Sequence, residues 1–169
     1  ARPRHRPARL PPVVPAVSTG GRAPNAAESR LHATAEEVAE RAWAPYSRFP
    51  VGAVVVGPSG RRYLGVNVEN ASYPAGICAE RVALGAMVTA GEREARTVAV
   101  AAAGGRDVAP CGLCLQALAE FGDPAVVCRV GREVRVFPLH ELLTMPFTGH
   151  AGGTPRLRGP SPRSGEAQS

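Results

Sequence analysis

There is no lysine anywhere in the 169-residue chain, so its basic charge rests on arginine. That absence excludes mechanisms that need a lysine amine, whether to form a Schiff base or to clamp a phosphate. Aromatic residues are sparse as well, at 5%, and no basic stripe with interleaved aromatics marks a nucleic-acid groove. No apolar run is long enough for a membrane span or a signal-peptide core, so the expected compartment is the reducing cytoplasm, with no membrane partner. The pairs Gly104-Gly105 and Gly152-Gly153 stand alone, without the spacing of a P-loop or a dinucleotide fingerprint, and no phosphate-cradling loop is expected.

The formal net charge of +6 is concentrated at the ends. Residues 1–27 hold five Arg and no acid, residues 151–169 hold three Arg and one Glu, and the section between has twelve Arg against thirteen acids. The overall basicity therefore points to no acidic partner for the folded part. Residues 1–27, rich in Arg, Pro and Ala without a period that could bury a face, read as a disordered arm. Residues 28–150 read as one domain and residues 151–169, broken by Pro155, Pro160 and Pro162, as a flexible tail.

Within the domain, Thr34 and Glu37 have the spacing of a capping box and predict a helix start, with Val38 and Trp43 on its apolar side and Pro45 as its end. The β-branched run Val51 to Val56, the turn Gly57-Pro58-Ser59-Gly60 and the run Tyr63 to Val68 predict a hairpin. Cys78 to about Ala90 reads as a helix, apolar almost all round and stopped by Gly91; Cys111 to Phe121 reads as a second buried helix stopped by Gly122. Thr97 to Ala103, Ala125 to Val130 and Val134 to Phe137 read as strands, and Leu139 to Leu143 as a last helical turn. Strands alternating with helices predict a layered α/β domain.

The chemistry gathers at Ile77-Cys78-Ala79-Glu80-Arg81 and Pro110-Cys111-Gly112-Leu113-Cys114. Two thiols at the Cys-x-x-Cys spacing can reach one tetrahedral metal, and Cys78 supplies a third. Three protein ligands leave a fourth position open for water, the arrangement of a catalytic rather than a closed structural site. Glu80, a carboxylate two residues from a ligand, is the expected acid/base. Both motifs stand at predicted helix N-termini, where unpaired N–H groups favour thiolates. Cys128 lies in a predicted strand and reads as a buried free thiol; closing a four-cysteine structural site with it would leave the pairing of Cys78 with Glu80 without purpose. Two disulfides in a secreted chain are the other reading of four cysteines.

These motifs fill the pattern of zinc-dependent deaminases, a Cys or His, any residue, Glu, and then Pro-Cys-x-x-Cys. The chain resembles the cytidine deaminases, in particular the small nucleoside-acting branch. The likeness extends outward through Tyr46-Ser47-Arg48-Phe49-Pro50-Val51-Gly52-Ala53, Asn67-Val68-Glu69-Asn70-Ala71, Tyr73-Pro74 and Glu141-Leu142-Leu143 with Phe147. It covers roughly residues 34 to 148. The resemblance implies a three-layer cytidine-deaminase fold, a five-stranded mixed sheet with helices on both faces. It implies one zinc ion held by Cys78, Cys111 and Cys114, with Arg81 offsetting the excess thiolate charge. It further implies Glu80 as proton shuttle, and Phe49, Asn67, Glu69, Tyr73, Ala79 and Phe147 as substrate-binding residues, Asn67 and Glu69 on the ribose. The expected reaction is hydrolysis of cytidine and deoxycytidine to uridine and deoxyuridine with release of ammonia, a step of pyrimidine salvage. The expected assembly is a homotetramer with shared active sites, Phe147 serving the neighbouring chain. Two departures stand out: Ser72, where the family often has Cys, and Leu115, where Arg is usual. A deaminase of another aminopyrimidine, such as the blasticidin type, shares the metal motifs, and a zinc-stabilised binding module without turnover is an alternative of another class.

Overall fold

The β-branched run from Val51 forms the strand β1 (Val51–Val56), which turns through residues 57–61 into the antiparallel strand β2 (Arg62–Val66). The structure, a computed structural model, describes residues 20–148. Three further strands, β3 (Thr97–Ala102), β4 (Ala125–Val130) and β5 (Glu133–Pro138), complete a five-stranded sheet of order β2-β1-β3-β4-β5. Only β3 and β4 run parallel, so the sheet is mixed, as expected.

Because side chains alternate across a strand, this sheet feeds two cores. On one face Val54, Ala99, Ala101 and Val127 pack with Leu31 and Ala35 of helix α1 (Ala26–Ala39). On the other, Val55, Val98, Val100 and Val126 pack with Met87 of α2 (Ala79–Thr89) and Leu118 of α3 (Gly112–Ala119). The short helix α4 (Leu139–Leu142) joins the second face through Leu139. Burial on both faces explains why β3 is apolar without alternation. Two glycines let the layers close: a Cβ on Gly52 would lie 2.1 Å from the Ala35 carbonyl oxygen, and one on Gly65 would lie 2.3 Å from that of Ala79.

The chain departs from expectation at its first helix. α1 starts eight residues before Thr34: Asn25 is the N-cap, its side chain accepts the Glu28 N–H, and Glu28 accepts the Asn25 N–H in return. Thr34 sits inside the helix and donates its hydroxyl to the Arg30 carbonyl. Arg22 pairs through its backbone with Val136 of β5, and its guanidinium bonds both oxygens of Glu28. Residues 20–27, read as part of the arm, are thus tied to the sheet. Trp43 is not on the helix; α1 ends at Ala39, and Trp43 joins a bridge to Val68 with 63% of its surface exposed. Helices α2 and α3 also leave an outer side in solvent, at Gly85 and Ala86 and at Leu113. Residues 1–19 and 149–169, most of the expected arm and all of the tail, lie outside the described residues.

Candidate active site and metal centre

Each metal motif begins a helix. Cys78 is the N-cap of α2, Cys111 is the N-cap of α3, and Cys114 is one turn further on. The packing of α2 beside α3 brings the three Sγ atoms within 4.8 Å of one another, with 3.5 Å between Cys111 and Cys114. Sulfurs bound at about 2.3 Å to a tetrahedral zinc stand about 3.8 Å apart. The three thiols therefore fit a zinc ion with little rearrangement. Cys128 is fully buried in β4 and outside this group, and burial pushes its thiol up to about 11.

The electrostatics of the thiols divide. Burial, and after it the charge of Glu80, pushes the Cys78 and Cys114 thiols up. At Cys111 burial opposes ionisation but is outweighed by the backbone N–H of Cys114, the neighbouring thiols and the N–H of Leu113, so the group lies below its usual value. The expectation that both helix N-termini favour thiolates holds at Cys111; at the more buried pair desolvation wins, and a bound cation has to supply the difference.

Glu80 follows in the first turn of α2, only 4% exposed. Its carboxyl is raised by burial, against the pull of a backbone N–H, Cys114 and Arg81. On Arg81, burial works against the charge, but the Cys78 and Cys114 thiols outweigh it and hold the guanidinium in its charged form. Arg81 Nε is buried without a hydrogen-bond partner. That is a donor beside a cluster awaiting negative charge.

A cleft of ≈ 630 Å³ opens beside Cys78 and Arg81. Asn67, Glu69 and Tyr73 line it, together with Tyr46, Ser47 and Leu113. Asn67 and Glu69 share a face of the extended segment, as the spacing of two predicts. Both are partly engaged: the Asn67 amide accepts the Val51 N–H at 2.8 Å and donates to the Phe49 carbonyl at 3.1 Å, while Glu69 accepts the N–H groups of Tyr46 and Ser47 at 2.9 and 3.2 Å. Bonds from Ser47 lead the causes that keep the Glu69 carboxyl below its usual range. These two residues thus fix the loop over residues 44–51 as well as line the cleft, each with hydrogen-bonding capacity left over.

Three expected substrate residues stand elsewhere. Phe49 is half-buried against the second core, with the Arg106 guanidinium 4.3 Å from its ring centroid. The Ala79 methyl is fully buried, so only its peptide group is left for a ligand. Phe147 is 71% exposed and is not part of the cleft lining.

The comparisons with known proteins bear on this arrangement. Residues 26–130 match the family described as the cytidine and deoxycytidylate deaminase zinc-binding region. The chain belongs to this family. It is 39% identical over 112 residues to the cytidine deaminase of Halalkalibacterium halodurans, a match spanning 64% of this chain and 85% of that protein. With the cytidine deaminase of Sporosarcina psychrophila it shares 42% identity over 92 residues, 54% of this chain and 68% of that one. Among solved structures, the cytidine deaminase of Burkholderia pseudomallei superposes with a TM-score of 0.65 at 40% identity, over 70% of this chain and 98% of that one.

Within this deaminase fold, Arg106 and Gln116 hold positions that no sequence motif marks. Arg106 stacks on Phe49 and donates Nη1 to the Arg48 carbonyl at 3.2 Å. It thereby pins a loop in which Arg48 takes a left-handed backbone, φ 53°. Gln116, one residue past Leu115 on the metal helix, bonds the backbone of Phe147. Neither has a local signature, since their partners lie 58 and 31 residues away.

Proposed function

We propose that this chain hydrolyses cytidine and deoxycytidine to the corresponding uracil nucleosides and ammonia, with Cys78, Cys111 and Cys114 holding zinc. The observation that carries the reading is the convergence of three thiols and a buried carboxylate beside a cleft lined by polar side chains. When bound, zinc supplies a Lewis acid that lowers the pKa of a water in its fourth position to about 7. Arg81 offsets the surplus charge of three thiolates. Asn67 and Glu69 take the ribose hydroxyls and Tyr73 flanks the sugar, which orients the pyrimidine with C4 toward the thiol cluster. The Ala79 peptide group meets the base edge, and Phe49 supports the loop that bounds it.

Glu80 moves the protons. It accepts one from the attacking water and delivers it to ring N3 as the C4–O bond forms, then takes the proton of the new C4 hydroxyl and passes it to the departing amine, so that C4–N cleavage releases ammonia and leaves a C4 carbonyl. Its burial keeps bulk water from competing for those protons. Three thiol ligands and a buried free cysteine suit a reducing compartment, and we place the enzyme in the cytoplasm. The assembly that fits this reading is a homotetramer in which Phe147 of one chain stacks on the base held by the next.

Ammonia release tests the reading. Cytidine and deoxycytidine should turn over; a blasticidin-type nucleoside and cytosine within a single-stranded oligonucleotide should not. Turnover confined to either of the last two, or absent from a zinc-loaded protein, would replace it. Sharing of the pocket is tested by mixing an inactive Glu80→Gln chain with a Phe147→Ala chain: mixed oligomers should show a KM closer to the wild-type value than Phe147→Ala alone.

A further inference from the structure

We infer that Gln116 is a positioning residue, which aims the Phe147 ring of one chain at the base pocket of its neighbour. This rests on the proposed sharing of pockets. The amide of Gln116 donates Nε2–H to the Phe147 carbonyl at 2.9 Å and accepts the Phe147 N–H on Oε1 at 2.8 Å. A planar amide that offers one donor and one acceptor to the two backbone groups of a single residue acts as a strand partner would. Two-point attachment sets both the place and the direction of that residue, where one bond would leave it free to swivel. The backbone is gripped, while the residue as a whole is 71% exposed. An exposed aromatic residue held by its backbone is suited to be presented outward, and this one follows α4, where the described residues 143–148 form no regular secondary structure.

The grip has a second consequence because of where Gln116 sits. α3 carries Cys114 two residues earlier and has Cys111 as its N-cap. The helix that supplies two thiols to one chain's metal centre therefore also fixes the ring that serves another pocket. Leu115, between them, is buried and turns into the core, which seats the helix without help from the arginine usual at that position.

Steady-state kinetics on the oligomer can decide this. If the ring stacks equally on substrate and transition state, its loss raises KM and spares kcat, by roughly 5- to 150-fold for one base–aromatic contact. Gln116→Leu should move KM toward the Phe147→Ala value at normal zinc content. Gln116→Glu keeps an acceptor for the Phe147 N–H and loses the donor, so it should give a smaller rise. In a Phe147→Ala background Gln116→Leu should add nothing, because the two changes remove one interaction. In mixed oligomers the KM defect should follow the chain that lends the ring: a Gln116→Leu chain mixed with a Glu80→Gln chain should recover near-normal KM. A defect that follows the pocket-bearing chain, or a Gln116→Leu protein with normal KM while Phe147→Ala is impaired, would overturn the positioning role alone. Normal KM in Phe147→Ala itself would overturn pocket sharing, and this inference with it.

Discussion

Gly65→Ala is a small change that the layered packing turns into a large one. A Cβ at this position of β2 would sit 2.3 Å from the Ala79 carbonyl oxygen and 2.5 Å from the Ala83 nitrogen, against an ordinary contact of 3.4 Å or more. Both opposing atoms are backbone, so no side chain can swing aside. Either β2 or the first turns of α2 must retreat by about 1 Å, in a region where Ala79 and Ala83 are fully buried. Overpacking of this kind costs about 1–3 kcal/mol, and for a domain of this size that lowers Tm by roughly 3–15 °C. The displaced turn carries Cys78 and Glu80, and misplacement of a catalytic group by ~1 Å costs about 10²-fold in rate. Calorimetry and cytidine turnover on the same preparation check both halves. A variant with wild-type Tm and full activity would refute the claim that glycine is required for α2 to approach the sheet.

Other consequences can be checked as directly. Glu28 lies below its usual range, chiefly through the Arg22 guanidinium and against the effect of burial, so its contribution to stability is complete above the unfolded value near pH ~4.3 and is lost as pH falls through the lower folded value; Glu28→Ala should cost about 1–2 kcal/mol at neutral pH and flatten the acid limb of the stability profile, as followed by urea titration. Free cytosine should be poorer than cytidine by roughly 10⁴ in kcat/KM, since hydroxyl-binding groups are left unpaired when the sugar is missing; equal rates would release Asn67 and Glu69 from the ribose. Arg106→Ala and Phe49→Leu should couple by about 0.5–1 kcal/mol in a double-mutant cycle of stability, the range for an exposed cation over a ring; simple additivity would mean that the stacking contributes nothing.

The sheet and the metal centre were legible in the sequence because their signals are local and chemical. A β-branched run marks β1, a run of small apolar residues marks β3, and the Cys-Ala-Glu and Pro-Cys-x-x-Cys spacings mark three sulfurs and a carboxylate for one centre. The start of α1 was misread for a related reason: Thr34 and Glu37 have the spacing of a cap but lie mid-helix, while the true box of Asn25 and Glu28 follows an Arg- and Pro-rich stretch that looks unfolded. What ties the described end of that stretch, from residue 20, to the fold is the pairing of Arg22 with Val136, more than a hundred residues away in sequence, and local pattern does not report such a contact. Trp43 was misplaced because Pro45 marks where a helix cannot continue rather than where this one ends. Asn67 and Glu69 are expected at the site from their spacing and do line the cleft, but their second task, holding residues 44–51 by backbone N–H and carbonyl groups, emerges only when the loop folds over them.

Zinc content and ammonia release from cytidine, measured together on the wild type and on Glu80→Gln, Cys78→Ala and Cys128→Ala, test the central claim most directly. The wild type and Glu80→Gln should each bind about one zinc per chain, as one three-thiol site requires, with turnover lower by roughly 10² to 10⁴ or more in Glu80→Gln. Cys78→Ala should lose metal and activity, and Cys128→Ala should keep both. Near-normal turnover in Glu80→Gln, or zinc lost from Cys128→Ala and retained in Cys78→Ala, would contradict a catalytic site built from Cys78, Cys111, Cys114 and Glu80.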